Sequence, residues 1–276
     1  MSTTNNTADG SSDRSRRDNV QSVDRAFAVL RCFGAKSPLL TLSQVAESTG
    51  LDRAAARRYL LTLERLGYVG RQRHQFHLRP RILELGYAYL SSLTVPQLAQ
   101  HSLSSLSARV QESCAVTVLD GAEITYVAVH NASRALSITH AVGNRLPAYC
   151  TAMGRVLLGG LDSNNVRRLL DGTAHKRHTS TTVYDTGEIL LAVEAASRAG
   201  WAVVDQELEE GVRSVAVPIR DATGVVIAAA SVSVPASRVS IAELGGEIRE
   251  ELRSAAAEIE TNLRSRIPDL RRQESF

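Results

Sequence analysis

The sequence predicts an α+β chain, with an N-terminal winged helix-turn-helix, a linker helix and a larger mixed α/β domain built on an antiparallel sheet. Three observations carry this. A basic amphipathic stretch at 51–68, LDRAAARRYLLTLERLGY, follows two shorter helical segments across a glycine turn. Positive charge is gathered at the front: up to Pro80 there are 13 Arg or Lys against 7 Asp or Glu, whereas the remainder holds 19 against 22. Beyond residue 94 the apolar spacing alternates between helical and strand periods. These patterns divide the 276 residues into a tail (1–19), a DNA-binding domain (20–80), a linker helix (81–94), a second domain (95–266) and a C-terminal tail (267–276).

In chain order, Val23, Ala26, Phe27, Leu30 and Phe33 recur at helical spacing and predict a scaffold helix ending before the Gly34–Pro38 break. Thr41 is a capping-type residue that opens a second helix, with Leu42, Val45 and Ala46 inward, and Gly50 supplies the tight turn. Asp52 then caps the third helix, since a short carboxylate satisfies its first free N–H groups and complements its dipole. Steps of about 100° per residue place Ala56, Tyr59, Leu60, Leu63 and Leu66 on a core face. The opposite side presents Arg53, Ala54, Arg57 and Arg58. Ala54 permits close approach, and an arginine bidentate to guanine discriminates by about 1–3 kcal/mol. A solvated basic face is the bland alternative for any one arginine pair; the helix-turn-helix context favours DNA. Tyr68–Gly70 and Gln75–Leu78 predict a hairpin, the wing, with Arg71 and Arg73 placed to meet phosphates or a minor groove. Thr41 and Ser43, at the start of the second helix, complete the expected DNA-contacting set.

The stretch 80–93, PRILELGYAYLSSL, predicts a linker helix that is apolar on several sides. A reader of double-stranded operator DNA gains by presenting two recognition helices to repeated half-sites, so a homodimer through this helix is expected; docking on the following domain is the alternative. A helix over 95–112 comes next, then strands at 114–119 and 124–130 joined by the hairpin turn Asp120-Gly121. A strand at 136–140, a loop at 143–147, and helices at 151–158, 163–170 and 186–199 follow. Strands at 201–205, 214–220 and 225–234 precede a C-terminal helix from Ile241 to about Arg264.

Other classes fit less well. No apolar run is long enough to cross a bilayer and the first residues form no secretion signal, which predicts a cytoplasmic protein associated with the nucleoid through its operator. Cys32, Cys114 and Cys150 are isolated, and the pairs His74/His77 and His175/His178 lack further ligands, so neither a disulfide framework, a metal nor a cofactor is expected. Asp205, Glu207, Glu209 and Glu210 crowd one loop, yet no nucleophile elbow, phosphate loop or metal-ligand pattern accompanies them, which argues against an enzyme. A nonspecific DNA binder would leave the larger domain idle.

The stretches GNRLPAYCTAMGRVLL (143–158) and DQELEEGVRSVAVPIRDATGVVIAAASVS (205–233) are long and specific. On these the chain resembles the IclR family of bacterial transcription regulators from Gln21 to about Arg264. GLDRAAARRYLLTLERLGYV, LRPRILELGYAYLSSL and TAMGRVLLGGL are similar to the subgroup that controls aromatic catabolism through protocatechuate and the β-ketoadipate pathway. The resemblance implies a GAF-like effector domain, a dimer or dimer of dimers, and a small carboxylic acid effector, aromatic or keto. It also implies effector contacts at Leu146, Ala152, Met153, Gly154, Asp205, Val212, Ser214, Ser231 and Ser233. An acid from an unrelated pathway is the alternative.

The residues fit such a pocket. Ser231 and Ser233 are two apart on one strand, so their hydroxyls share a face, and buried hydroxyls require partners. Serines bonded back to the sheet or to water are the alternative. The start of the helix at Thr151 favours anions. Arg134 and Arg145, with Arg213 a further candidate, could meet a carboxylate; Leu146, Tyr149, Met153 and Val212 could form an apolar slot. One departure from the subgroup is that a strand tending to read YVAR there runs Tyr126-Val127-Ala128-Val129-His130 here.

Overall fold

The computed structural model describes residues 20–34, 36–92, 94–133 and 140–273. The tail predicted at 1–19, the strand predicted at 136–140 apart from His140, and Arg134 lie outside the described residues. The chain divides into two units between Tyr89 and Leu90.

The first unit sets helices α1 (Gln21–Arg31), α2 (Leu42–Thr49) and α3 (Arg53–Arg65) against a small antiparallel sheet of β1 (Leu40–Thr41), β2 (Val69–Gln72) and β3 (Gln75–Leu78), in the order β1-β3-β2. Local chemistry fixes each boundary. Thr41 and Gln44 form a reciprocal capping box, with the Gln44 N–H donating to Thr41 Oγ1 at 3.3 Å and the Thr41 N–H donating to Gln44 Oε1 at 2.9 Å. Gly50 ends α2 at φ +67°, a left-handed conformation that a side chain resists. Asp52 caps α3 by accepting the Ala55 N–H at 2.7 Å. Val29, Val45, Ala56, Leu60, Leu63, Val69 and Phe76 make the core.

Three expectations shift here. Leu66 lies past the end of α3 and is exposed rather than inward. Val23 and Phe27 are exposed too, because α1 meets the core through Val29, joined by Phe33 just past its end. β1 was not predicted, since two residues show no alternation. Pro80–Ile82 forms a 3₁₀ turn where a continuous helix was expected, and α4 begins at Leu83 and runs to Ser92. Leu83 and Tyr87 on α4 are each 70% exposed.

The second unit opens with α5 (Thr94–Val110) and a six-stranded antiparallel sheet. Its strands are β4 (Ser113–Asp120), β5 (Glu123–His130), β6 (Arg145–Pro147), β7 (Ala202–Asp205), β8 (Val212–Arg220) and β9 (Val226–Pro235), in the order β6-β5-β4-β9-β8-β7. Where the sequence predicts a loop at 143–147, the three residues of β6 pair with β5 at the sheet edge. One face is covered by α5 and by α10 (Arg249–Gln273), which follows a helical turn α9 (Ile241–Glu243) and a π-helical turn over Leu244–Ile248. The C-terminal helix therefore continues to Gln273, through residues expected to be tail. The other face carries α6 (Ala152–Leu158), α7 (Ser163–Asp171) and α8 (Thr186–Ala199). The central strands are buried on both faces, hence the near-continuous apolar run of β9. α6 sits so deep that all seven residues are buried. A Cβ at Gly154 would stand 2.0 Å from the Ala148 carbonyl oxygen, so the helix packs this closely only with glycine there.

Candidate functional site

The first unit holds a basic cleft of about 290 Å³ between α2, α3 and the wing. Thr41, Ser43, Arg53, Arg57 and Arg71 line it together with His74 and Phe76. The fold thus joins five of the residues expected to meet DNA. The other three sit apart: Ala54 is exposed on α3, Arg73 lies at the wing tip at φ +55°, and Arg58 faces a second cleft beside Arg25 and Tyr59. Two assignments narrow. The Thr41 hydroxyl is engaged by Gln44 as a helix cap. The Arg71 guanidinium donates to the Arg73 carbonyl at 3.2 Å and lies over the Phe76 ring, so it braces the wing. Among the described residues Arg53, Arg57, Arg58 and Arg73 form no ion pair, which leaves their donors free for an external polyanion.

In the second unit a cavity of about 170 Å³ lies between α6, the sheet and the loop joining β7 to β8. Leu146, Met153, Val212, Ser214 and Ser233 line it, as expected residues. Register explains the serine pair, because Ser214 on β8 stands opposite Ser233 on β9. Neither hydroxyl has a hydrogen-bond partner among the described residues. Ser231 faces the same side but deeper, opposite Ala216 and Ala115, where it donates to the Ala115 carbonyl at 3.5 Å. Ala152 and Gly154 are packed inside α6 and support the wall.

The two expected cations among the described residues, Arg145 and Arg213, are committed elsewhere. Arg145 lies on the exposed edge strand and pairs with Glu123 at 2.8 Å and Asp120 at 2.5 Å, since β6 sets it beside two carboxylates of the β4–β5 hairpin. Arg213 pairs with Asp205 at 2.5 Å and also donates to the Ala236 and Val239 carbonyls, so Asp205 is a structural anchor beside the cavity. Bonding to Arg213 holds the Asp205 carboxyl below the usual carboxylate range. The Tyr149 hydroxyl donates to the Lys176 carbonyl and the residue lies outside the lining.

Several lining groups were not foreseen. Tyr126 and His140 stack at 4.8 Å between ring centres, and the Tyr126 hydroxyl and His140 Nε2 are both buried without a hydrogen-bond partner. Burial raises the Tyr126 phenol and depresses the His140 imidazole to about 4. Cys150 contributes a neutral thiol, pushed up to about 12 chiefly by burial. Glu207 closes one side, its carboxylate held by Arg155 at 2.7 Å and by the Val183 N–H at 3.0 Å. Arg155 and Glu207 are far apart in sequence, and no local spacing could have paired them. His140 follows residues outside the described set and carried no motif signal. Tyr126 occupies a strand whose alternation was visible, although its role was not.

A winged helix-turn-helix with unpaired arginines, and a separate unit enclosing a ligand-sized cavity, define a one-component transcription regulator. The chain belongs to the IclR family: the IclR helix-turn-helix domain matches residues 22–73, and the bacterial transcriptional regulator IclR C-terminal domain matches residues 87–261. It is 41% identical over 228 residues to the Pca regulon regulatory protein of Pseudomonas putida, covering 82% of this chain and 78% of that one. A crystal structure of a protein from Rhodococcus sp. RHA1 is 46% identical, with TM-score 0.79 over 90% of this chain and 99% of that one. An IclR homologue from Microbacterium hydrocarbonoxydans, crystallised with 4-hydroxybenzoate, is 28% identical, with TM-score 0.77 over 88% of this chain and 99% of that one. The family is one of DNA-binding regulators and not of enzymes.

Proposed function

We propose that this regulator binds operator DNA through the Arg53/Arg57 face of α3 and the Arg73 wing tip, and that a small carboxylic acid in the second unit's cavity modulates that binding. The acid is aromatic or keto, and the regulated genes form an aromatic-catabolism operon. One observation carries the reading: a cavity of about 170 Å³, lined by Ser214 and Ser233, in which the Tyr126 hydroxyl and His140 Nε2 are buried with no protein partner among the described residues. Buried groups of this kind require a partner, and an apolar cavity of about 150 Å³ accommodates benzene. The similarity to a Pca regulon regulator and to a homologue holding 4-hydroxybenzoate supports the choice of acid.

Residues 20–80 form the DNA-binding domain, 81–94 the linker and 95–266 the effector domain. Assembly is a homodimer, or a dimer of dimers, through the apolar face of α4, and the protein resides in the cytoplasm at the nucleoid. The acid acts only by its differential affinity for alternative arrangements of the paired subunits. The test is a mobility-shift titration on the chain's own upstream DNA with 4-hydroxybenzoate, protocatechuate and β-ketoadipate. A saturable change in DNA affinity with one of them is expected; DNA binding indifferent to all three would overturn the effector reading.

A further inference from the structure

Among the described residues no cation lines the cavity. Among its described lining residues, His140 is the single side chain able to become one, because Glu207 and Glu209 are acidic and the rest are neutral. The nearby arginines are spent: Arg155 on Glu207, Arg213 on Asp205, Arg145 on Glu123 and Asp120. An acid entering as its anion thus meets no compensating charge among the described residues, and burying an uncompensated charge is strongly unfavourable.

His140 is built to relieve this. Its backbone is pinned at both ends, the N–H donating to Asn131 Oδ1 and the carbonyl accepting from Asn131 Nδ2, each at 2.9 Å. Its ring stacks on Tyr126, which fixes the imidazole plane. Nε2 is buried and has no partner.

We propose that His140 is the anion-binding residue of this cavity, and that a carboxylate effector enters together with a proton, which His140 holds on Nε2 as an imidazolium facing the carboxylate. The proposal rests on the effector reading above and deepens it. The proton comes from solvent and no covalent bond changes. The titratable groups that share the cavity lining with His140 agree with the assignment. Tyr126 and Cys150 are held neutral by burial, Glu207 is already neutralised by Arg155, and Glu209 is exposed to solvent. In the ligand-free protein burial keeps the ring neutral near pH 7, so the charge arises with the ligand.

Calorimetry of the full chain with 4-hydroxybenzoate, at one pH in phosphate and in Tris, counts protons through the different ionisation heats of the buffers. Uptake approaching one proton per acid is expected. Affinity should fall about tenfold per pH unit between about pH 5.5 and 7, the slope of one linked proton. 4-Hydroxybenzyl alcohol, which has the ring and no carboxylate, should bind with no uptake. His140→Gln should abolish the uptake and weaken the acid about tenfold while DNA binding is unchanged; Tyr126→Phe should weaken binding and keep the uptake. Binding of 4-hydroxybenzoate with no buffer dependence, or with uptake intact in His140→Gln, would overturn the proposal and leave the cavity reading standing. Absence of binding by every acid tested would overturn both.

Discussion

At the scale of single residues, the second unit depends on two buried polar arrangements with opposite vulnerabilities. Arg155 and Glu207 are each under one-tenth exposed and bonded at 2.7 Å, so removing one partner strands the other charge. Glu207→Ala should destabilise the second unit by about 3–5 kcal/mol. Urea unfolding followed by the fluorescence of Trp201, the chain's single tryptophan, reads this unit alone. His140 behaves differently, because its folded pKa of about 4 lies below the ordinary histidine value of about 6.5. As pH falls between these values the unfolded chain gains a proton that the folded chain refuses. Stability is therefore whole above about pH 6.5, declines by about 3 kcal/mol on the way to about pH 4, and levels off below. His140→Gln should flatten that decline in the same Trp201 assay, and an unchanged slope would show that His140 is not its source. Neither arrangement was legible in sequence. Arg155 sits in a run that reads as helix, Glu207 in a loop that reads as solvated carboxylates, and only the fold brings them together.

Among the elements, the well-predicted ones were those whose boundaries are set by local chemistry. The Thr41 cap, the Gly50 turn and the Asp52 cap fall where the sequence places them, because each is decided by a side chain bonding within a few residues. Elements decided by distant partners were missed: β1 and β6 exist only through pairing with β3 and β5. The serine pair was legible as well, since strand period alone puts Ser231 and Ser233 on one face. Depth was not, and it separates the lining Ser233 from the bonded Ser231. α6 carries its own prediction. Gly154→Ala sets a Cβ against the Ala148 backbone, which cannot yield as a flexible side chain would. A loss of about 1–3 kcal/mol of second-unit stability is expected, and a Trp201 unfolding midpoint equal to wild type would show that α6 can retreat. On α4, Tyr87→Glu places a charge on an exposed apolar surface and should shift the sedimentation coefficient toward the monomer; an unchanged value would place the subunit contact elsewhere.

For the whole molecule, charge and cavity belong to different units, so their responses to solution conditions should separate. DNA affinity should drop steeply between about 50 and 200 mM salt as released counterions lose their advantage, while affinity for a buried acid should change far less. Parallel salt titrations by mobility shift and calorimetry would show it; equal sensitivity would mean that the acid is held by exposed charge. The floor beneath α6 has a longer-range implication. Ala115 and Ala216 are fully buried there, flanking the deeper Ser231, while Ser214 and Ser233 line the chamber itself, so an enlarged residue at Ser214 or Ser233 would shrink the chamber and a trimmed Met153 would widen it. Neither change touches α3. Descendant genes are thereby free to exchange the metabolite they answer to while continuing to address the same promoter.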